Sequence, residues 1–63
     1  MNKIKRIKAR EYACKDYYIL YMAEEKLWYV GIHTDSGSSH LEDFTKYRNA
    51  REYVLRQANK EAN

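Results

Sequence analysis

The chain has 63 residues, a net charge of +3 at pH 7 and one cysteine. Its length limits it to a single domain, 1–63, with a thin core. A chain of this length buries only about 60% of the surface that its unfolded form exposes. One cysteine excludes an internal disulfide, and no Cys/His spacing is typical of a structural zinc site. A homodimer, or docking on a partner, would supply the buried area that the domain lacks.

The first half of the chain predicts three strands. The basic, β-branched segment 3–12 predicts an edge strand, because lysines on an edge discourage pairing with other chains. A turn at 13–16 would lead into strands at about 17–23 and 27–34. The charged residues 23–26 between these two strands would form a hairpin loop.

The second half predicts a loop and a carboxy-terminal helix. Turn-forming residues fill 33–40, and a short fourth strand at 39–44 is an option. A helix is predicted over 45–61, with Asp43 or Thr45 as its cap, since a short side-chain oxygen accepts free backbone N–H groups. The residues of its apolar face recur every three or four positions: Tyr47, Ala50, Val54, Ala58 and Ala62, with Leu55 beside them.

These elements predict an α+β fold, a three- or four-stranded antiparallel sheet packed against one C-terminal helix. In the central hairpin both alternating sets of side chains are apolar, as in Tyr17, Ile19 and Tyr21 against Tyr18 and Leu20. A hairpin covered on both faces shows this pattern. With only one helix available, we expect the helix to cover one face and a partner to cover the other.

A tryptophan-glycine strand followed by Phe44 and an alanine-bearing helix resembles a known arrangement. The order of Trp28, Gly31, Phe44 and Ala50 resembles the small DNA-binding domains of plant ethylene-response factors and of the amino end of tyrosine-type integrases, and Phe44 and Ala50 keep the separation found there. The resemblance implies a three-stranded sheet that reads the major groove with arginines. Residues 11–45 contain no arginine, and Lys46 stands where those families place a capping threonine.

The charges are partitioned along the chain. Residues 1–10 sum to +5, residues 11–45 to −5 and residues 46–63 to +3. The basic ends could contact phosphates, which makes a DNA- or RNA-binding regulator one hypothesis. The cations that would carry it are Lys3, Lys5, Arg6, Lys8, Arg10, Arg48, Arg51 and Arg56.

The aromatic hairpin lies in the acidic part of the chain, which favours a protein partner over a phosphate backbone. Tyrosine and tryptophan anchor protein interfaces because they bury a large area while few rotatable bonds are fixed. The predicted partner-binding residues are Tyr17, Tyr21, Tyr29, Glu24 and Glu25. The favoured hypothesis is a small phage- or mobile-element-type inhibitor or adaptor that covers a functional surface on a larger protein, such as nucleic-acid-handling or defence machinery.

No catalytic, metal or cofactor site is predicted. His33 and His40 fit no metal-ligand spacing, and Cys14 is expected to be a small packing residue. A domain this small seldom encloses a substrate pocket, so we do not expect an enzyme. No apolar run approaches the about 20 residues of a membrane span, and the basic start lacks the apolar segment of a signal peptide. We therefore expect a cytoplasmic protein with no membrane partner.

Overall fold

The computed structural model describes residues 3–61, with side chains through Lys60. Five strands follow one another as neighbours in one antiparallel sheet, and one helix closes the chain. The elements are β1 (Lys5–Lys8), β2 (Glu11–Cys14), β3 (Tyr17–Met22), β4 (Leu27–Thr34), β5 (Gly37–Phe44) and α1 (Tyr47–Glu61). The predicted α+β class, with an antiparallel sheet and a C-terminal helix, is confirmed.

The sheet has more strands than the sequence predicted. The segment 3–12 is not one strand, because the chain turns at Ala9 and Arg10 between β1 and β2. The predicted turn at 13–16 is shorter, and Ala13 and Cys14 belong to β2. The hairpin loop at 23–26 lies where it was predicted.

The predicted loop at 33–40 is wrong, because β4 and β5 reach to within two residues of each other at Asp35 and Ser36. The Thr34 hydroxyl donates to the Gly37 carbonyl at 2.8 Å across this turn. Gly37 has φ of 126°, a backbone conformation that suits glycine. The optional strand at 39–44 therefore exists and begins earlier, at Gly37.

Three of the hairpin loops place a long basic residue in the left-handed region, where glycine or asparagine is usual. Arg10, Lys15 and Lys26 have φ of 66°, 55° and 57°. This conformation costs an ordinary residue about 1–2 kcal/mol. The sequence analysis missed the turn at Arg10, which contains no glycine, asparagine or proline, whereas the turn at Lys15 lies within the predicted turn at 13–16.

The core lies between the helix and one side of the sheet. Ile19 and Val30, cross-strand partners in β3 and β4, and Val54 of α1 are completely buried. Burying each of these side chains contributes about 1.5–3 kcal/mol. Ala50 and Ala58 are also completely buried, so the helix backbone lies close to the sheet. The predicted apolar face of the helix is thus confirmed, except at Ala62, which lies outside the described residues.

The helix begins at Tyr47, later than predicted, and within residues 3–61 neither predicted side chain, Asp43 nor Thr45, caps its first N–H groups. Its first backbone bonds run from the Asn49 and Ala50 N–H groups to the Lys46 carbonyl, at 3.2 and 3.3 Å, which places Lys46 at the N-cap position. The predicted cap at Asp43 is wrong, because that carboxylate is bound to His40. The first turn also contains no acidic residue to favour the helix dipole.

Replacing Lys46 with aspartate should therefore stabilise the fold. A side-chain oxygen at the N-cap accepts an unpaired N–H, and the substitution Lys46→Asp should raise the free energy of unfolding by about 1 kcal/mol. Urea denaturation followed by circular dichroism measures the change. Lys46→Ala is the control, since it removes the cation without adding an acceptor. Equal stability of the two variants would contradict an uncapped helix start at this residue.

Candidate functional site

The helix covers one side of the sheet and leaves the other side open. Helix α1 packs on β2, β3, β4 and β5, on the side that carries Ile19 and Val30. Residues that face each other across antiparallel strands project to the same side. One row across the opposite side, called the open face below, consists of Lys8, Glu11, Leu20, Tyr29 and Asp43.

A second row on the open face is centred on Tyr18. It consists of Lys5, Ala13, Tyr18, Gly31 and His40. The Tyr18 ring lies across Gly31, because a Cβ on that glycine would be 2.2 Å from the Tyr18 Cζ. Tyr18 also stacks on His33, with ring centres 4.8 Å apart. The missing side chain of Gly31 thus fixes the position of an aromatic ring on the open face.

Leu20, Met22 and Leu27 extend the apolar part of the open face. Met22 and Leu27 are cross-strand partners and form the last pair before the loop between β3 and β4. All three side chains are only half-buried. Together with Tyr18 and Tyr29 they form a contiguous apolar and aromatic strip on β3 and β4.

Tyr29 is the most strongly constrained polar group of the open face. Its hydroxyl donates a hydrogen bond to the Glu25 carboxylate, and its ring stacks on His40 at 4.9 Å. His40 is bound in turn to the Asp43 carboxylate. The hydrogen bond to Glu25, together with desolvation and the charges of Glu25 and Asp43, raises the pKa of Tyr29 to about 12. The carboxylates of Glu25 and Asp43 therefore give this ring negatively charged surroundings.

A shallow concavity adjoins Tyr18. Its volume is about 290 Å³, and its lining residues are Glu11, Tyr18, Leu20, His33 and Ser38. Glu11 at its rim is paired with Lys8 at 3.6 Å. The concavity is large enough for one or two partner side chains.

The predicted partner-binding tyrosines do not share a surface. Tyr17 is buried, at 4% exposure, so it is a core residue. Tyr21 lies on the helix side, with its ring 4.8 Å from Trp28. Only Tyr29 lies on the open face, and Glu25 reaches it from the β3–β4 turn, where Glu24 is also exposed. Tyr17 and Tyr21 share the helix side because residues separated by an even number of positions on a strand point the same way.

The predicted cations are divided between the two sides of the molecule. Lys5 and Lys8 lie in the rows of the open face, whereas Arg6 faces Tyr12 in a helix-side row. Arg10 lies over the Tyr21 ring at 5.2 Å. The remaining predicted cations are exposed outside these rows: Lys3, Arg48, Arg51 and Arg56. These residues therefore form no single basic stripe.

Sequence reasoning missed most of the open face. Tyr18, Leu20 and Met22 were recognised as one apolar face of the first hairpin strand, and Leu27 as part of one face of the second. The pattern alone did not identify the faces that the helix covers. The deciding signal was the size of the opposing residues. Ile19 and Val30 fit beneath the alanines of the helix, whereas Tyr18 lies over a glycine.

The remaining candidate groups show no reactive arrangement within residues 3–61. Burial raises the pKa of the buried Cys14 thiol, against a smaller opposing effect of Lys15, which disfavours the thiolate form. In this part of the chain no three His, Cys, Asp or Glu side chains are placed to hold a metal ion. The helix is too short and too polar to cross a membrane.

Comparison of the chain with protein-family models, with curated proteins and with solved structures found no match. The resemblance to small DNA-binding domains therefore stays a prediction.

The ionisation of Tyr29 tests the contact between this tyrosine and Glu25 on the open face. Because its pKa is raised from 10.0 to about 12, the stabilising effect of the neutral hydroxyl is present below pH 10 and is lost as pH rises through about 12. Glu25→Gln removes the charge and should move the pKa of Tyr29 back toward 10.0. NMR of ring-labelled tyrosine measures the pKa of Tyr29, and the variant Tyr29→Phe assigns its resonance. An unchanged pKa in Glu25→Gln would contradict the contact.

Proposed function

We propose that the protein is a non-catalytic binding module whose open face docks on a basic and apolar surface of a larger protein. The observation that carries the proposal is the strip of Tyr18, Leu20, Met22, Leu27 and Tyr29. These side chains lie together on β3 and β4, and no element within residues 3–61 packs on them.

The apolar strip supports a protein partner. Contiguous apolar patches at a protein surface can mark sites of interaction with other proteins. Tyr18 and Tyr29 are already held in place, one against Gly31 and His33 and the other by Glu25 and His40. Rings held in this way lose little conformational freedom on binding, which suits them to anchor an interface.

The charges around Tyr29 favour a basic partner. Glu25 and Asp43 both raise the pKa of Tyr29, so a cation brought to this ring would meet two carboxylates and an aromatic face. A lysine or arginine over a tyrosine ring gains about 0.5–1 kcal/mol at an exposed site. Phosphate would be repelled at the same position. The part of the open face around Tyr29, Glu25 and Asp43, called its acidic end below, therefore favours a basic protein patch over nucleic acid.

Basic patches of this kind are typical of proteins that bind nucleic acid. A small module that covers such a patch would block access to it. This supports a role as an inhibitor or adaptor of nucleic-acid-handling machinery.

Site-specific photo-crosslinking in the cells that contain the protein tests the docking surface. A photoreactive residue at Leu27, on the open face, should crosslink to a larger protein. The same residue at Arg48, exposed on the helix, should not. Asp43→Lys in the Leu27 probe should reduce the crosslinked product about fivefold or more, since charge reversal opposes a basic partner. Glu52→Lys, an equal change on the exposed side of the helix, is the matched control.

Three outcomes would contradict the proposal. Crosslinking from Arg48 alone would place the interface on the helix. Crosslinks from Leu27 only to second copies of the chain would make the open face a homodimer interface. Equal losses in Asp43→Lys and Glu52→Lys would exclude a specific role for the acidic end of the open face.

A further inference from the structure

Four aromatic rings meet on the helix side of the sheet, beside the start of the helix. Tyr12 of β2 lies 4.6 Å from Tyr47 of the helix, and Tyr47 lies 5.1 Å from Trp28 of β4. Trp28 in turn lies 4.8 Å from Tyr21 of β3. All four rings are only partly buried. Together they form a continuous, partly exposed aromatic surface, called the aromatic cluster below.

Three arginines surround the aromatic cluster. Arg10 lies over the Tyr21 ring at 5.2 Å from its centre. Arg51 lies one helical turn after Tyr47, and its charge and hydrogen bonding oppose the rise in the pKa of Tyr47 that burial and Tyr12 cause. Arg6 is the cross-strand partner of Tyr12 and projects to the same side. All three arginines are exposed.

Arginines are the charged groups found against the rings of the aromatic cluster, Arg10 at Tyr21 and Arg51 at Tyr47. The charged group that acts on Tyr47 is Arg51, and no carboxylate affects the pKa of this tyrosine. Glu25 of the nearby turn is bound to Tyr29 on the opposite side of the sheet. Glu42, which shares a row with Arg6, lies on β5 at the far edge of that row. The acidic middle of the sequence therefore does not make this surface acidic.

The helix packs on β2 to β5, and β1 extends the sheet beyond it. Arg6 and Tyr12 therefore lie on the part of the sheet next to the helix, and Tyr47 and Arg51 lie on the helix. Unpaired nucleotides can stack the faces of their bases on such rings, whereas a duplex hides those faces in its own stack.

We propose that the aromatic cluster, with Arg6, Arg10 and Arg51, binds single-stranded nucleic acid. Bases stack on the partly exposed rings, and the arginines contact the neighbouring phosphates. Proteins that bind single strands without sequence preference combine these two elements. The cluster lies on the opposite side of the sheet from the open face, so a strand and a protein partner can be bound together.

Trp28 reports directly on binding, because it is the only tryptophan and belongs to the cluster. Titration with an oligothymidylate of about twelve nucleotides should quench its fluorescence at low salt. The binding constant should fall as salt rises, by a slope of about 0.7 in log units for each phosphate contact. An abasic oligonucleotide of equal length should bind about tenfold more weakly, since it offers phosphates without bases to stack.

A charge-matched pair of variants locates the site. The double variant Arg10→Gln/Arg51→Gln should weaken oligothymidylate binding about tenfold at low salt and reduce the salt slope by about 1.4. The control Arg56→Gln/Lys60→Gln removes two exposed cations from the later part of the same helix and should change affinity less than about twofold. Circular dichroism verifies that each variant is folded.

Several results would overturn the proposal. Absence of quenching at low salt excludes the site, and equal affinity for the abasic oligonucleotide shows that the rings do not stack on bases. Equal losses in the two double variants show diffuse attraction by the net charge. Tighter binding of a duplex of the same length shows that unpaired bases are not the ligand.

Discussion

The structure depends on one constraint: a single helix covers only one face of a five-stranded sheet. On the covered side the helix contributes alanines and Val54, which pack directly on Ile19 and Val30. The opposite side has no such cover within residues 3–61, yet its middle strands carry large apolar side chains. The division into a core side and an open face follows from this arrangement, and so does the case for a partner.

The alternation of side chains along the hairpin gives neighbouring rings different charged neighbours. Hairpin alternation sends Tyr29 to the open face with Glu25 and Asp43, and its neighbour Trp28 to the helix side with Tyr21 and Arg10. Charge counted along the chain therefore misrepresents the surface that each ring occupies. The proposed protein partner and the proposed nucleic acid meet different sides of the molecule for this reason.

The sequence was sufficient for the fold class and for the helix face, because Ala50, Val54 and Ala58 follow helical spacing and all three are buried. It was insufficient for the strand count, since the turn at Arg10 uses a left-handed basic residue that carries no turn signal. Tyr17 and Tyr21 were assigned to the binding surface because composition cannot tell which alternating set meets the helix. That choice depends on packing between elements distant in the chain.

Hydroxyl-radical footprinting of the protein inside its native cells, compared with the purified protein, tests the open face most directly. We expect Met22 and Tyr29 to be oxidised readily in the purified protein and to be protected in the cell. Tyr17, which is 4% exposed, should be protected in both. Equal oxidation of Met22 and Tyr29 in both settings would show that no partner covers the open face, and would contradict the proposed docking surface.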